Sequence, residues 1–202
     1  MNLFAIIAKG GWLMIAIGIC SVIAIAIFIE RLIVLHRSSV DTKTFIYEIK
    51  GTIGKSGIDE AKVLCGRMKV PIASLVKAGL ELKDRSKQEI RTAVENAGKV
   101  EVHKLEKNLG ILGTIAAIAP LIGFLGTVTG MIKAFMKIQV LGGNVNASVL
   151  AGGIWEALVT TAAGLAVGIP ALIFYNYLVS KVDSFVLDME TNSEDILNLL
   201  KE

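Results

Sequence analysis

Glu156 is the residue whose type and surroundings point most clearly to chemistry, because it is the one charged side chain between residues 138 and 180. A carboxylate inside hydrocarbon is costly unless it is protonated, paired or hydrated, so such residues normally face a helix bundle and often mark an ion path. On a helix, Thr160 lies about 40° around from Glu156 and can share its face, whereas Thr161 lies about 140° around and need not. We therefore expect an ion-pathway site that starts from Glu156.

Two more hydroxyl side chains, Thr127 and Thr129, lie in another apolar stretch, so a polar seam between the two stretches is expected. Simpler interpretations stay open, because an intramembrane threonine most often donates to a carbonyl of its own helix. Glu156 also follows the glycines at 142 and 143 closely enough to lie harmlessly near the outer interface. One carboxylate per chain cannot relay ions far, so several copies or a partner with another acid would be needed.

Other chemistries find little support in the residue types. His36 and His103 have no partner at metal-ligand spacing, and Cys20 and Cys65 fall in different segments, where inert packing is expected of both. The sequence offers no nucleophile and base pair and no phosphate-binding loop. With a net charge of only +3, it has no nucleic-acid surface either. We expect no enzyme activity, no metal and no cofactor.

The elements that must position these residues are membrane spans. Hydrophobic residues make up 53% of the 202 residues and charged residues 19%, against about a quarter in a typical soluble domain. Residues 10–29, 109–132 and 138–180 carry almost no charge, and about 20 residues suffice to cross a hydrocarbon core of roughly 30 Å as a helix. This pattern excludes a disordered chain and predicts an all-α membrane protein with three transmembrane helices.

The membrane boundaries and orientation follow from the charges. Residues 10–29 are interpreted as a retained span rather than a signal peptide, because Glu30 and Arg31 end it abruptly without a cleavage site. Residues 30–108 hold 16 Lys and Arg, so the positive-inside rule places them in the cytoplasm. Lys133 and Lys137 oppose this slightly, and we expect them to snorkel from the end of a long helix.

The predicted order along the chain has seven parts. It is a periplasmic N-terminus (1–9), transmembrane helix 1 (10–30), a cytoplasmic helical segment (31–108), transmembrane helix 2 (109–137), a short periplasmic hairpin (138–149), transmembrane helix 3 (150–179) and a cytoplasmic C-terminal helix (180–202). Helices 2 and 3 are expected to extend into a cytoplasmic helical bundle.

Helical periodicity predicts the elements of the cytoplasmic parts. Two short amphipathic helices are expected around residues 45–49, ending near Gly51 and Gly54, and around 58–64, ending near Gly66; a third opens at Pro71. Ser86 and Glu89 form a capping box, and no strong stop follows before Gly142. One helix from Lys87 through the second span is therefore expected, with a loose helical loop as the alternative. The tail continues span three as an amphipathic helix through Val182, Phe185, Met189, Ile196 and Leu199, interrupted by Asn192.

Small residues and prolines indicate how the spans pack. Small residues four apart let helix backbones approach closely where lipid gives no hydrophobic drive for association. Prolines inside a span free backbone carbonyls that neighbours must satisfy. The residues concerned are Gly126, Gly130 and Pro120 in span two, and Gly164, Gly168 and Pro170 in span three.

Two long motifs carry a resemblance to a known family. Residues 119–130 read A-P-x-x-G-x-x-G-T-V-x-G, and residues 156–176 read E-A-L-x-x-T-A-x-G-L-x-x-x-I-P-A-x-x-x-Y-N. With a first span ending in Glu30-Arg31 and a large insertion after it, the chain resembles the ExbB/TolQ proteins of the MotA/TolQ/ExbB proton channel superfamily, most of all ExbB. The likeness covers nearly the whole chain.

The resemblance implies residue roles. Thr127 matches the family's pore threonine in span two, and Glu156 and Thr161 match its polar pair in span three. Thr129 stands where enteric members usually have Trp, and Thr160 where they usually have Ala. Both add hydroxyls, which leaves open whether the transported ion is a proton or another cation.

The resemblance also implies an assembly in the bacterial inner membrane. Five copies of this chain would form a ring around two copies of an ExbD/TolR-like one-span partner, whose aspartate moves protons. The resulting motion would reach the outer membrane through a TonB- or TolA-like protein. A structural scaffold without ion conduction stays open, and so does a stator-like motility or secretion motor, which three spans rather than four disfavour.

Overall fold

The structure is a computed structural model that describes residues 11–68, 70–140 and 147–199, with the backbone alone at 147–150, 198 and 199. The described residues form seven helices: α1 (Leu13–Ser38), α2 (Thr42–Ser56), α3 (Ile58–Arg67), α4 (Pro71–Glu81), α5 (Lys87–Leu105), α6 (Leu109–Val140) and α7 (Ala147–Leu199). The expected N-terminus (1–9), the stop at Gly142 and most of the expected hairpin lie outside the described residues.

Three helical stretches are long and apolar enough to cross a membrane: Leu13–Ser38, Lys87–Val140 and Ala151–Leu197. Many of their large apolar side chains point outward; Ile19, Leu121 and Ile173 are each more than half exposed. A soluble protein rarely exposes so much apolar surface, whereas a helix facing lipid requires it. The prediction of a multi-pass, all-α membrane protein is confirmed.

The chain divides into two compact units. The apolar unit comprises Met1–Ile29 and Asn108–Tyr177, and the charged unit comprises Glu30–Lys107 and Leu178–Glu202. Helices α2 to α5 belong to the charged unit, α6 belongs to the apolar unit, and α1 and α7 contribute residues to both.

In the charged unit, α2 to α5 and the last turns of α7 share one hydrophobic core. Ile49, Leu80 and Ile196 are almost fully buried in it. Cys65 lies in the same core, where burial raises the pKa of its thiol to about 11. A thiol with so high a pKa stays protonated at neutral pH, which fits the inert packing role that the sequence predicts.

The capping box at the start of α5 is confirmed. The backbone N–H of Glu89 donates to the Ser86 hydroxyl at 3.3 Å, and the backbone N–H of Ser86 donates to the Glu89 carboxylate at 3.0 Å. The Ser86 hydroxyl also donates to this carboxylate at 2.7 Å, and these hydrogen bonds lower the pKa of Glu89.

The end of α2 was predicted too early, whereas the end of α3 near Gly66 is confirmed. Helix α2 continues through Gly51 and Gly54 and ends before Gly57, whose φ is 89°; α3 ends at Arg67, next to Gly66. A glycine inside a helix costs about 1 kcal/mol, which the burial of Phe45 and Ile49 offsets. Gly57 ends α2 because its positive φ suits a residue without Cβ.

The prediction of one helix from Lys87 through the second span is wrong. Helix α5 ends at Leu105, and α6 begins at Leu109 after Asn108, whose φ is 65°. Arg31, only 4% exposed, donates from Nη1 to the carbonyl of Lys104 at 3.0 Å. In an unbroken helix this carbonyl would accept from the N–H of residue 108. A distant side chain therefore helps to cap α5, and Asn108, a residue that tolerates a positive φ, is the local sequence signal for the break.

The amphipathic tail is confirmed as the continuation of α7. Val182, Met189 and Ile196 are buried and Phe185 is half-buried, while the side chain of Leu199 lies outside the described residues. Asn192 is only 9% exposed, and its Nδ2 donates to the carbonyl of Asp188 at 2.7 Å. This bond within the helix satisfies the polar group that interrupts the apolar stripe.

Candidate functional site

The candidate site lies in the apolar unit between α6 and α7, whose backbones approach closely through small residues. A methyl group on Gly164 would stand 2.6 Å from the carbonyl oxygen of Ala119, and one on Gly130 would stand 3.0 Å from the Cβ of Ala157. The first distance is shorter than real side chains show, and the second is tighter than most of their contacts. The two helices can therefore meet this closely only where Cβ atoms are missing.

The proline of α6 also requires a glycine on α7. A methyl group on Gly168 would stand 2.5 Å from Cγ of Pro120. The proline ring thus occupies the space that the missing side chain leaves. Pro170 lies inside α7, two residues further along the chain.

Thr127 and Thr161 bring their hydroxyl groups together across this interface, where the two oxygens share a hydrogen bond. Backbone carbonyls complete the cluster. The hydroxyl of Thr161 lies 3.0 Å from the carbonyl oxygen of Gly123 and 3.2 Å from that of Ala157, and the hydroxyl of Thr127 lies 3.4 Å from the latter. Two hydroxyl protons therefore have several acceptors within reach, and they can change partners without leaving the cluster.

Thr129 and Thr160 instead donate to carbonyls of their own helices. The hydroxyl of Thr129 lies 3.0 Å from the carbonyl of Leu125. The hydroxyl of Thr160 donates to the backbone carbonyl of Glu156 at 2.7 Å, and its side chain is fully buried against Gly126. The geometry thus distinguishes Thr127 and Thr161, which bond to each other, from Thr129 and Thr160, which bond within their own helices. The angular spacing on a helix favours Thr160 over Thr161, so it does not predict this difference.

Glu156 forms an ion pair with Lys133, in which Nζ lies 2.7 Å from Oε1. The carboxylate side chain is 25% exposed and the lysine side chain is 55% exposed. The snorkelling of Lys133 stays a prediction; the structure adds that the nearby carboxylate attracts its ammonium group. A sequence signal existed: with Thr127 opposite Thr161 in an antiparallel pair, position 133 falls opposite residues 155 and 156.

The ion pair lies at one end of the uncharged parts of α6 and α7. Residues 109–132 precede Lys133 and residues 157–180 follow Glu156 without a charge, and each stretch is about 36 Å long at 1.5 Å per residue. The start of α1 reaches the same place, since a methyl group on Gly11 would stand 2.9 Å from Oε1 of Glu156. Three helices therefore meet around this carboxylate.

Stacked aromatic rings join α1 to α7 elsewhere in the apolar unit. The ring centroids of Phe28 and Phe174 are 4.0 Å apart, and the ring planes are 14° from parallel. Contacts at both Gly11 and Phe28 fix the register of α1 against α7. Glu30 and Arg31, which the sequence marks as a membrane boundary, form an ion pair of 2.6 Å in the charged unit.

The sequence of the chain is similar to a family of known proteins. The profile of the MotA/TolQ/ExbB proton channel family matches residues 67–191. A protein of Methanothermobacter thermautotrophicus named as a biopolymer transport protein ExbB homolog is 32% identical over 180 residues, 89% of this chain and 62% of that protein. An ExbB-like biopolymer transport protein of Synechocystis is 32% identical, over 85% of this chain and 68% of its own length.

A shorter but more similar match is the biopolymer transport protein ExbB of Aquifex aeolicus, 45% identical over 49% of this chain and 68% of its own length. The chain thus spans less than two thirds of the Methanothermobacter protein and just over two thirds of the other two. The profile covers α4 to α6 and most of α7. This range includes Glu156 and the four threonines described above. The chain belongs to the MotA/TolQ/ExbB proton channel family.

Proposed function

We propose that the chain is the ring subunit of a motor in the bacterial inner membrane that the proton-motive force drives, of the ExbB–ExbD or TolQ–TolR type. Several copies, five by the family resemblance, surround a one-span ExbD/TolR-like partner and conduct ions with it. The complex then energises a TonB- or TolA-like protein for outer-membrane transport. In this arrangement the charged unit is cytoplasmic and the N-terminus is periplasmic.

The observation that carries the proposal is the hydroxyl pair of Thr127 and Thr161 inside an apolar unit. A hydroxyl both donates and accepts, so two hydroxyls that share carbonyl acceptors can pass a proton or orient water. Each intramembrane threonine alone would satisfy itself on its own helix, as Thr129 does. A hydroxyl pair across two helices places polar atoms at an interface whose close packing leaves little room for other side chains.

Glu156 supplies an acid on one side of the hydroxyl pair, and the partner supplies the second acid. The charged side chains among the described residues of the apolar unit are Lys133, Lys137 and Glu156, so the chain holds too few titratable groups to relay ions alone. Each charge that crosses 100 mV releases about 2.3 kcal/mol. A few ions per step therefore suffice to shift packed helices between discrete arrangements.

The test is ion flux through the chain reconstituted in liposomes with its one-span partner and the TonB- or TolA-like protein, under an imposed proton gradient. Thr127→Val and Thr161→Val keep the side-chain shape but remove the hydroxyl, and each should reduce flux at least tenfold. Thr129→Val is the matched control, because its hydroxyl serves its own helix. A wild-type complex that assembles but carries no ions would overturn the proposal.

A structural scaffold is the second candidate, and the ion pair of Lys133 and Glu156 favours it. A salt bridge between two spans can hold helices together without any ion moving. Under this alternative, Glu156→Gln would lower the stability of the assembled ring, and wild-type complexes would show no flux. Full energy-dependent uptake by a well-assembled Glu156→Gln ring would remove Glu156 from the pathway.

A further inference from the structure

We propose that Lys133 is a positioning residue that holds the carboxylate of Glu156 at the mouth of the ion pathway and keeps the pathway closed at rest. This inference rests on the proposed function. The pair joins α6 to α7 directly, with Nζ of Lys133 2.7 Å from Oε1 of Glu156. It stands beside the same interface that holds the hydroxyls of Thr127 and Thr161.

The pair lies at the surface of the single chain, at the end of the α6–α7 interface, which is where a gate to the hydroxyls would stand. Glu156 precedes Thr161 by five residues, and Lys133 follows Thr127 by six. At 1.5 Å per residue, the pair stands about 8 Å beyond the two hydroxyls on the same side. In the proposed ring, an ion that approaches the hydroxyls from that side meets the ammonium group and the carboxylate first.

Gly11 limits where the carboxylate can go. Its φ is 70°, and a methyl group there would stand 2.9 Å from Oε1 of Glu156. The backbone at the start of α1 therefore lies against the carboxylate on a third side. Residues 11–29, which comprise the two residues before α1 and the part of α1 in the apolar unit, have no charged side chain that could replace Lys133 as the counter-ion.

The opening step follows from charge balance. When the carboxylate of Glu156 accepts a proton, it becomes a neutral carboxyl group, and its attraction to the ammonium group of Lys133 ends. The carboxyl group can then turn toward the hydroxyls and deliver the proton to the acid of the partner. Loss of that proton restores the carboxylate, and the ion pair forms again.

The variants that test this proposal differ only at the pair. Lys133→Met removes the charge and keeps a long apolar stem, Lys133→Arg keeps the charge, and Lys137→Met is the matched control one turn away. The exchange Lys133→Glu with Glu156→Lys keeps an ion pair but moves the acid to α6. Each is assembled with the one-span partner in liposomes, and proton flux is read with a trapped pH-sensitive dye, per assembled complex.

Without the TonB- or TolA-like protein, Lys133→Met should raise resting flux at least fivefold. Lys133→Arg and Lys137→Met should stay within twofold of wild type. The exchanged pair should assemble and keep resting flux low, yet lose the flux that appears when the third protein is added. A pair that is only structural gives a different result: Lys133→Met impairs assembly alone, and the exchange restores every property.

Unchanged resting flux in assembled Lys133→Met complexes, beside measurable wild-type flux, would overturn this inference and leave the proposed function standing. Absence of flux from the wild-type complex in the presence of the TonB- or TolA-like protein would overturn both. If Lys133→Met does not assemble, Gly11→Ala probes the same point, because its methyl group displaces the carboxylate from its place. It should also raise resting flux, and resting flux equal to wild type would contradict the gate.

Discussion

The close approach of α6 and α7 at Gly164 makes a quantitative prediction. A methyl group on this residue would stand 2.6 Å from the carbonyl oxygen of Ala119 and 2.9 Å from Cα of Gly123, whereas ordinary contact starts at 3.4 Å. Both neighbours are backbone atoms, so no side chain can turn away. The helices must separate by about 0.8 Å, and overpacking of this kind costs about 1–3 kcal/mol.

Gly152→Ala is the matched control, because it lies in the same helix and a methyl group there meets nothing within 4 Å. Both substitutions gain the same helix propensity, roughly 1 kcal/mol, so this term cancels in the comparison. Gly164→Ala should therefore be about 1–3 kcal/mol less stable than Gly152→Ala. The measurement is the free energy of unfolding in mixed micelles, followed by circular dichroism.

The same separation should weaken the hydrogen bond of Thr127 and Thr161, since Thr161 lies one turn from Gly164. Ion flux per assembled complex should then fall in Gly164→Ala but not in Gly152→Ala. Equal stability of the two variants would refute the reasoning about the interface. A loss of stability with unchanged flux would refute only its link to the hydroxyl pair.

Three further predictions concern the charged unit. Arg31→Ala should lower the free energy of unfolding by about 2 kcal/mol, because it removes a charged donor from a buried helix end. Chemical denaturation measures this difference. A free energy of unfolding equal to that of the wild type within error would contradict the cap. Hydrogen bonds from Ser86 lower the pKa of Glu89. Their contribution to stability is therefore fully present above the usual carboxyl pKa, and it disappears as the pH falls through the lowered value. Glu89→Gln should flatten the acid part of the pH dependence of helix content. An unchanged acid part in this variant would contradict the contribution of the Glu89 carboxylate. Cys65, with a pKa raised to about 11, should resist alkylation at pH 8 in the folded chain and react after unfolding, as mass spectrometry of the modified peptide can show; rapid native labelling would contradict its burial.

The sequence predicts those features that depend on composition or on neighbours a few residues apart. The three apolar stretches and the capping box of Ser86 and Glu89 are of this kind, because length, charge and local hydrogen bonding determine them. The apolar stripe of the tail also follows from local spacing. Within the predicted amphipathic stretch 58–64, however, the apolar Val63 is 46% exposed. A ten-residue helix can rotate by one position without changing its apolar content much.

Features that depend on distant partners could not be predicted in the same way. The cap at the end of α5 needs the guanidinium of Arg31 at the carbonyl of Lys104, 73 residues away. Predicting the ion pair of Lys133 and Glu156 requires the register of two antiparallel helices. Knowledge that Thr127 lies opposite Thr161 would have given that register. Residue types therefore indicated an ion-pathway site. The family resemblance singled out Thr161, and the packing of α6 on α7 gives the physical reason, because Thr161 meets Thr127 and Thr160 does not.

The contact between Gly126 and Thr160 has an evolutionary consequence. The branched side chain at position 160 is fully buried because its neighbour on α6 has no Cβ. We expect the two positions to change together in descendants of this chain, since a side chain gained at 126 is viable only after one is lost at 160. A chimera that takes α7 from a relative should therefore inherit the matching turn of α6 as well.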